Sequence, residues 1–149
     1  MVSVENIYDV NPDGSEGLLA VIARDNGPAF KNNMDFITPQ DEQLQVYEVT
    51  MDTGRVIEPH IHRLIERRSV GTPEVLIIKS GRIQLDIYTS SGRYVSSHDL
   101  VRGDIAVLLR GGHGVTAIRY SEILEVKQGP YAGSRKLDKD DTWKPQQRD

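Results

Sequence analysis

Apolar positions along this chain come in short runs, and turn residues stand between nearly all of them. GLLAVIA (17–23) is the first such run, closed by Arg24-Asp25-Asn26-Gly27-Pro28, and it reads as a buried strand or the end of a short helix. In QLQVYEVTM (43–51), Leu44, Val46, Glu48 and Thr50 alternate with Gln45, Tyr47, Val49 and Met51, the two-residue period of a strand. Asp52-Thr53-Gly54 predicts a turn. Val56 to His62 then resumes an extended segment, because Pro59 disfavours helix at Glu58. RLIERRSVGT (63–72) is too short and too charged for a core strand, and a loop or one helical turn is expected there.

EVLIIKSGRIQLDIYTSSGRYV (74–95) has the grammar of hairpins: two strands around Lys79-Ser80-Gly81, a Ser-Ser-Gly turn and a further short strand. His98 to Arg102 leads into a turn at Gly103-Asp104, and the apolar run IAVLL (105–109) follows. After Arg110-Gly111-Gly112, HGVTAIRY (113–120) and EILEVKQ (122–128) predict another pair of strands broken near Ser121. From Gly129 the chain is polar and bears Pro and Gly; residues 129–149 are expected to be a surface tail, anchored by Tyr131 and Trp143, with its last residues disordered. Many short strands and no long helical pattern argue for an all-β sandwich or barrel, jelly rolls included.

The length of 149 residues suits one domain, 1–149, with a substantial core. A net charge of −4, from 18 basic and 22 acidic side chains, leaves Arg63, Arg67 and Arg68 as the one tight basic cluster. That is a poor footprint for nucleic acid, and it equally weakens a membrane-surface role. There is no run near the roughly 20 apolar residues of a membrane span and no secretory pattern in MVSVENIYDV, so a cytoplasmic protein is expected. Cysteine is absent, which excludes disulfides, thiolate metal sites and cysteine nucleophiles together.

Any metal must therefore be held by nitrogen and oxygen. His60 and His62 form an H-x-H pair, which on a strand directs both imidazoles to one face. His113 opens a later strand-like run, and Glu74 supplies an oxygen between them in sequence. Three imidazoles and a carboxylate suit Fe(II), Mn(II), Ni(II) or Zn(II).

Gly54, His60, His62, Glu74 and Gly81, followed by Gly103-Asp104 and His113, resemble the two sequence motifs of the cupin superfamily over about 60 residues. The resemblance implies a jelly-roll barrel (a double-stranded β-helix) in which His60, His62, Glu74 and His113 surround one divalent metal. Two departures stand out. Glu74 lies twelve positions beyond His62, farther than is usual, and Glu66, four positions beyond it, meets the shorter spacing. Glu74 is preferred because it opens the run VLIIKSG, with 63–72 as an insertion at the barrel mouth. Leu109 stands where cupins commonly carry proline, and one residue fewer precedes the histidine; the glycine pair 111–112 can supply the reversal.

Among other residues, Glu125 and Lys127 share one strand face and are the acid/base or substrate-anchoring candidates if that face lines the cavity; an outer salt bridge is the alternative. Arg63, Arg67 and Arg68 form either an anion-catching rim or a solvated charge run. Tyr47 and Tyr88 read as packing, Asp104 as a turn residue and His98 as a solvated histidine. The resemblance implies a metal-assisted enzyme on a small polar, sugar-type molecule of the kind met in bacterial surface-polysaccharide and nucleotide-sugar pathways. Isomerisation, epimerisation, lyase and oxygenase chemistry all remain open. The alternative is a non-catalytic metal- or ligand-binding module. A homodimer is expected, because jelly rolls leave sheet edges that need cover.

Overall fold

The computed structural model describes residues 2–10, 13–26 and 34–137. Its strands in chain order are β1 (Val2–Val10), β2 (Glu16–Asp25), β3 (Met34–Phe36), β4 (Tyr47–Val49), β5 (Glu74–Ser80), β6 (Arg82–Tyr88), β7 (Tyr94–Val101), β8 (Ile105–Leu108), β9 (Gly112–Ala117) and β10 (Glu122–Lys127). Among the described residues there is no helix, so none that is long and apolar enough to cross a membrane. The chain is all-β, and every strand pairing is antiparallel.

One sheet has the order β1-β2-β8-β5-β10, a second the order β7-β6-β9, and β3 and β4 form a hairpin of their own. Alternation sorts the side chains of the large sheet between two apolar clusters. Leu76 and Ile78 of β5, Ile22 of β2 and Ala106 of β8 meet Ile83, Leu85 and Ile87 of β6 in the space between the two sheets. Val75, Val21 and Val107 point the other way and are covered by Ile37, Leu44 and Val46. That two-sided burial explains the continuous apolar runs of β2, β5 and β8.

The tight β5–β6 reversal depends on Gly81, whose φ of 84° and contact with the Tyr120 carbonyl exclude a side chain. Asp104, expected as an ordinary turn residue, is a buried anchor. Its carboxylate accepts hydrogen bonds from the Arg24 guanidinium at 2.9 Å, the Val101 amide at 3.0 Å and the Asp25 amide at 3.2 Å, tying β2 and the end of β7 to the start of β8.

Several sequence expectations are corrected. Val56 to His62 is not a strand: residues 50 to 73 join β4 to β5 without forming a ladder with any described strand. An extended sequence becomes a strand only when a partner edge takes up its backbone groups. Among the described residues the sheets consequently do not close into a barrel, and β9 and β10 each present a free edge. His98 is no solvated turn residue but part of β7, its ring only 11% exposed, beside Ser96 Oγ at 2.8 Å and Glu5 at 3.6 Å. Burial holds its pKa below the ordinary 6.5, against the opposing pull of the Glu5 carboxylate. Residues 129–137 carry no strand, while Leu137 reaches back to Gly92 and Gly112. Trp143 and the disorder expected at the chain's end lie outside the described residues.

Candidate functional site

Glu74 is the first residue of β5 and sits two positions before Leu76 on the face that looks between the sheets. Lys127, at the end of β10, lies directly opposite it in register, and Glu125 lies opposite Leu76 on the same face. His113 reaches the same place from the other sheet, since it pairs with Ile87 of β6, whose side chain is in the inter-sheet core. The reversal that aims His113 uses Gly111, which has a φ of 78° and no room for a side chain against the Tyr88 carbonyl.

These side chains form one polar cluster at the open end of the sandwich. Glu74 Oε2 is 3.4 Å from His113 Nε2, and Glu74 Oε1 is 3.6 Å from Lys127 Nζ. Lys127 also makes a close ion pair with Glu125 and lies over the Tyr131 ring, 5.6 Å from its centroid. The hydrogen bond that Lys127 donates to Glu125, and then the charge of Glu74, raise the Lys127 pKa above its ordinary 10.5. Glu74 is the more enclosed partner, with 14% of its side chain exposed against 33% for His113.

A cavity of about 350 Å³ opens beside the cluster, lined by Glu74, His113, Thr72, Ser90, Leu108 and Arg110 among others. That volume lies within the range of small-molecule sites. Arg110, which sequence reasoning passed over as part of a turn, has its guanidinium fixed by both oxygens of Glu42, at 2.9 and 3.1 Å, and by the Leu18 carbonyl at 3.0 Å. Only the fold reveals it, because Glu42 and Leu18 are remote in sequence. A second cavity, of about 680 Å³, is lined by Arg67, Arg68, Gln43, Gln45, Pro73 and Gln128 among others, so two of the three clustered arginines face a cleft that adjoins β5 and β10. Arg63 is exposed on the linking segment.

His60 and His62 do not join Glu74 and His113. Both lie on the exposed 50–73 segment, their rings packed edge to face with centroids 5.0 Å apart. His60 Nδ1 is 2.8 Å from the Glu58 carbonyl, which can only accept, so Nδ1 is the donor of that contact and Nε2 is the ring nitrogen turned away from it. Glu66 is exposed on the same segment. Among the described residues no three His, Asp or Glu side chains are gathered for a metal. Two donors do suit one: ligands roughly 2.0–2.2 Å from an ion stand about 3.0–3.5 Å apart, as Glu74 and His113 do. Tyr88 is buried against Tyr94, and Tyr47 packs on Phe36, as packing residues.

Comparison with known proteins adds no relative: no family model, no curated protein and no solved structure matches this chain.

Proposed function

We propose that this chain is a cupin-like, mononuclear metal-binding protein that acts as an enzyme on a small polar molecule of sugar type at the Glu74–His113 cavity. One observation carries the reading: Glu74 and His113, from different sheets and remote in sequence, stand 3.4 Å apart beside a cavity of about 350 Å³. Both belong to the ligand set that the cupin resemblance implies, and His60 and His62 would complete it. A divalent ion held there would supply Lewis-acid polarisation of a substrate carbonyl or hydroxyl.

The chain's own groups have distinct parts. Glu74 holds charge at the mouth, with Lys127 fixing its second oxygen. The Lys127 ammonium can donate a hydrogen bond to an oxygen on the substrate, and Glu125 holds it in place. Arg110 is held rigid at the cavity wall, where its remaining guanidinium edge suits a hydroxyl or carboxylate of the ligand.

Elemental analysis of the purified protein, followed by an activity screen against sugars and keto acids with and without chelator, tests this reading. The expected outcome is about one metal per site and turnover lost on chelation. Metal without turnover would make the chain a binding module. Absence of any bound Fe, Mn, Ni or Zn after loading would overturn the metal site altogether.

A further inference from the structure

We propose that two copies exchange their 55–65 segments, so that His60 and His62 of one copy reach the Glu74–His113 pair of the other and neither copy completes the site alone. For its ligands the proposal rests on the metal reading above; the exchange itself rests on separate observations. Among the described residues β9 is the outer strand of its sheet and bonds to β6 alone, leaving a row of backbone donors and acceptors for another strand. Its inner face is also bare. His113, Val115 and Ala117 are exposed, although Ile87, Leu85 and Ile83, opposite them on β6, are buried. β10 leaves the neighbouring edge of the large sheet open in the same way.

The segment that would fill the gap is in the chain. From Val56 to Arg68, the described hydrogen bonds and ion pairs include none to the body of the protein, yet Ile61 and Leu64 are fully exposed and Val56, Ile57 and Ile65 largely so. Bare aliphatic side chains of this number mark an interaction surface. Glu58, His60, His62 and Leu64 alternate with Ile57, Pro59 and Ile61, so one strand added at β9 with its imidazoles toward Glu74 and His113 would lay Leu64 on the same bare face and carry Ile57 and Ile61 on the other. The occupant we commit to is a second copy. A twofold exchange puts residues 55–65 and the 6 residues of β9 on each copy's side, near the lower end of the roughly 20–30 residues of a stable interface, and it forms each contact twice while disturbing no existing ladder.

Light scattering at micromolar concentration should give twice the chain mass for the native protein. The Ile61→Asp/Leu64→Asp variant, altered where the single chain makes no contact, should give one chain mass with an unchanged circular-dichroism spectrum. A native monomer, or a variant that stays dimeric, would overturn the exchange. For the site, His60→Ala/His62→Ala and Glu74→Gln/His113→Ala chains are co-expressed with different tags and the mixed pairs isolated. Exchange predicts that each variant alone binds no metal while the mixed pair carries half the native content, from its one intact site. Mixed pairs without metal, beside a native protein that loads, would mean that each arm docks on its own body, and the proposal fails. If the native protein takes no metal but the dimer still depends on Ile61 and Leu64, the exchange stands and the metal reading falls.

Discussion

Replacing Asp104 with alanine removes the acceptor on which three segments converge, and the cost can be worked from its contacts. The side chain is 5% exposed, and its oxygens accept from Arg24 at 2.9 Å, Val101 at 3.0 Å and Asp25 at 3.2 Å. A donor left unpaired costs about 1–3 kcal/mol; Val101 and Asp25 are exposed residues that water can reach, so about 1 kcal/mol each is appropriate. The ion pair adds at most about 1 kcal/mol, because Arg24 is 30% exposed and also donates to the Asp99 carbonyl. The expected loss is about 3 kcal/mol, or roughly 6–12 °C in Tm for a domain of this size. Asp104→Asn, which keeps one acceptor oxygen, should lose about half as much. Urea titration followed by circular dichroism, with Arg24→Ala and the double variant, gives the coupling directly. An Asp104→Ala protein within about 1 kcal/mol of the native one would refute the assignment of this carboxylate as an anchor. The β5–β8 ladder runs from Ile77 opposite Ile105 to Glu74 opposite Leu108, so the damage lies at the end away from the cavity. Ligand binding well below the midpoint should therefore survive.

Three further outcomes are expected. His98 has its pKa lowered in the fold, so the unfolded chain takes up the proton first. Its contribution to stability is complete above about pH 6.5 and falls as pH drops through that value toward the folded pKa, and His98→Gln should flatten this part of a Tm-against-pH profile. Gly111→Ala must place a Cβ at positive φ against the Tyr88 carbonyl, and a loss above about 1 kcal/mol in thermal unfolding is expected, together with a displaced His113 resonance in NMR. Glu74→Gln should sharply reduce metal content measured by elemental analysis, whereas Glu66→Gln should leave it nearly unchanged; the reverse result would move the carboxylate ligand onto the 50–73 segment.

The strands that sequence reasoning placed well are those whose pattern is written by burial. β5 and β8 are covered on both faces and show as apolar runs between Gly-bearing turns, β6 alternates Ile83, Leu85 and Ile87 with Gln84 and Asp86, and β9 and β10 follow from the same turn signals. β1 escaped because it is an outer strand with most of its described side chains in solvent, and the alternation of Val2 and Val4 with Ser3 and Glu5 breaks at Asn6-Ile7. β7 was expected only as a short strand ending at Val95, for a different reason: Ser96-Ser97-His98-Asp99 looks like a turn, but those polar groups are matched across the ladder, Ser97 to Asp86 and Asp99 to Arg82. Val56–His62 was misjudged as a strand because local sequence can specify an extended backbone but not whose edge receives it. At the candidate site, Glu74, Glu125 and Lys127 were legible as strand residues of known parity. The fixing of Arg110 by Glu42 and Leu18 was not, since neither residue is near it in sequence.

Parity also separates the two glutamates. Leu76 and Ile78 are locked into the core between the sheets, so a residue two positions before Leu76 must emerge on that same face, at the rim where β10 and β9 end their cover. Glu74 is thus aimed by the whole ladder, whereas Glu66 has no ladder to choose its direction. The same reasoning divides the proposed ligand set into a fixed half, Glu74 and His113, and a half carried by the 55–65 segment. A metal bound by both halves would be coupled to the docking of that segment, and the coupling must be reciprocal: whatever factor docking adds to metal affinity, metal adds to the association of the two copies. Chelation should then shift the native protein toward one chain mass and leave Glu74→Gln indifferent to chelator. A pair whose dissociation constant is the same with and without metal would break the link between the segment and the site.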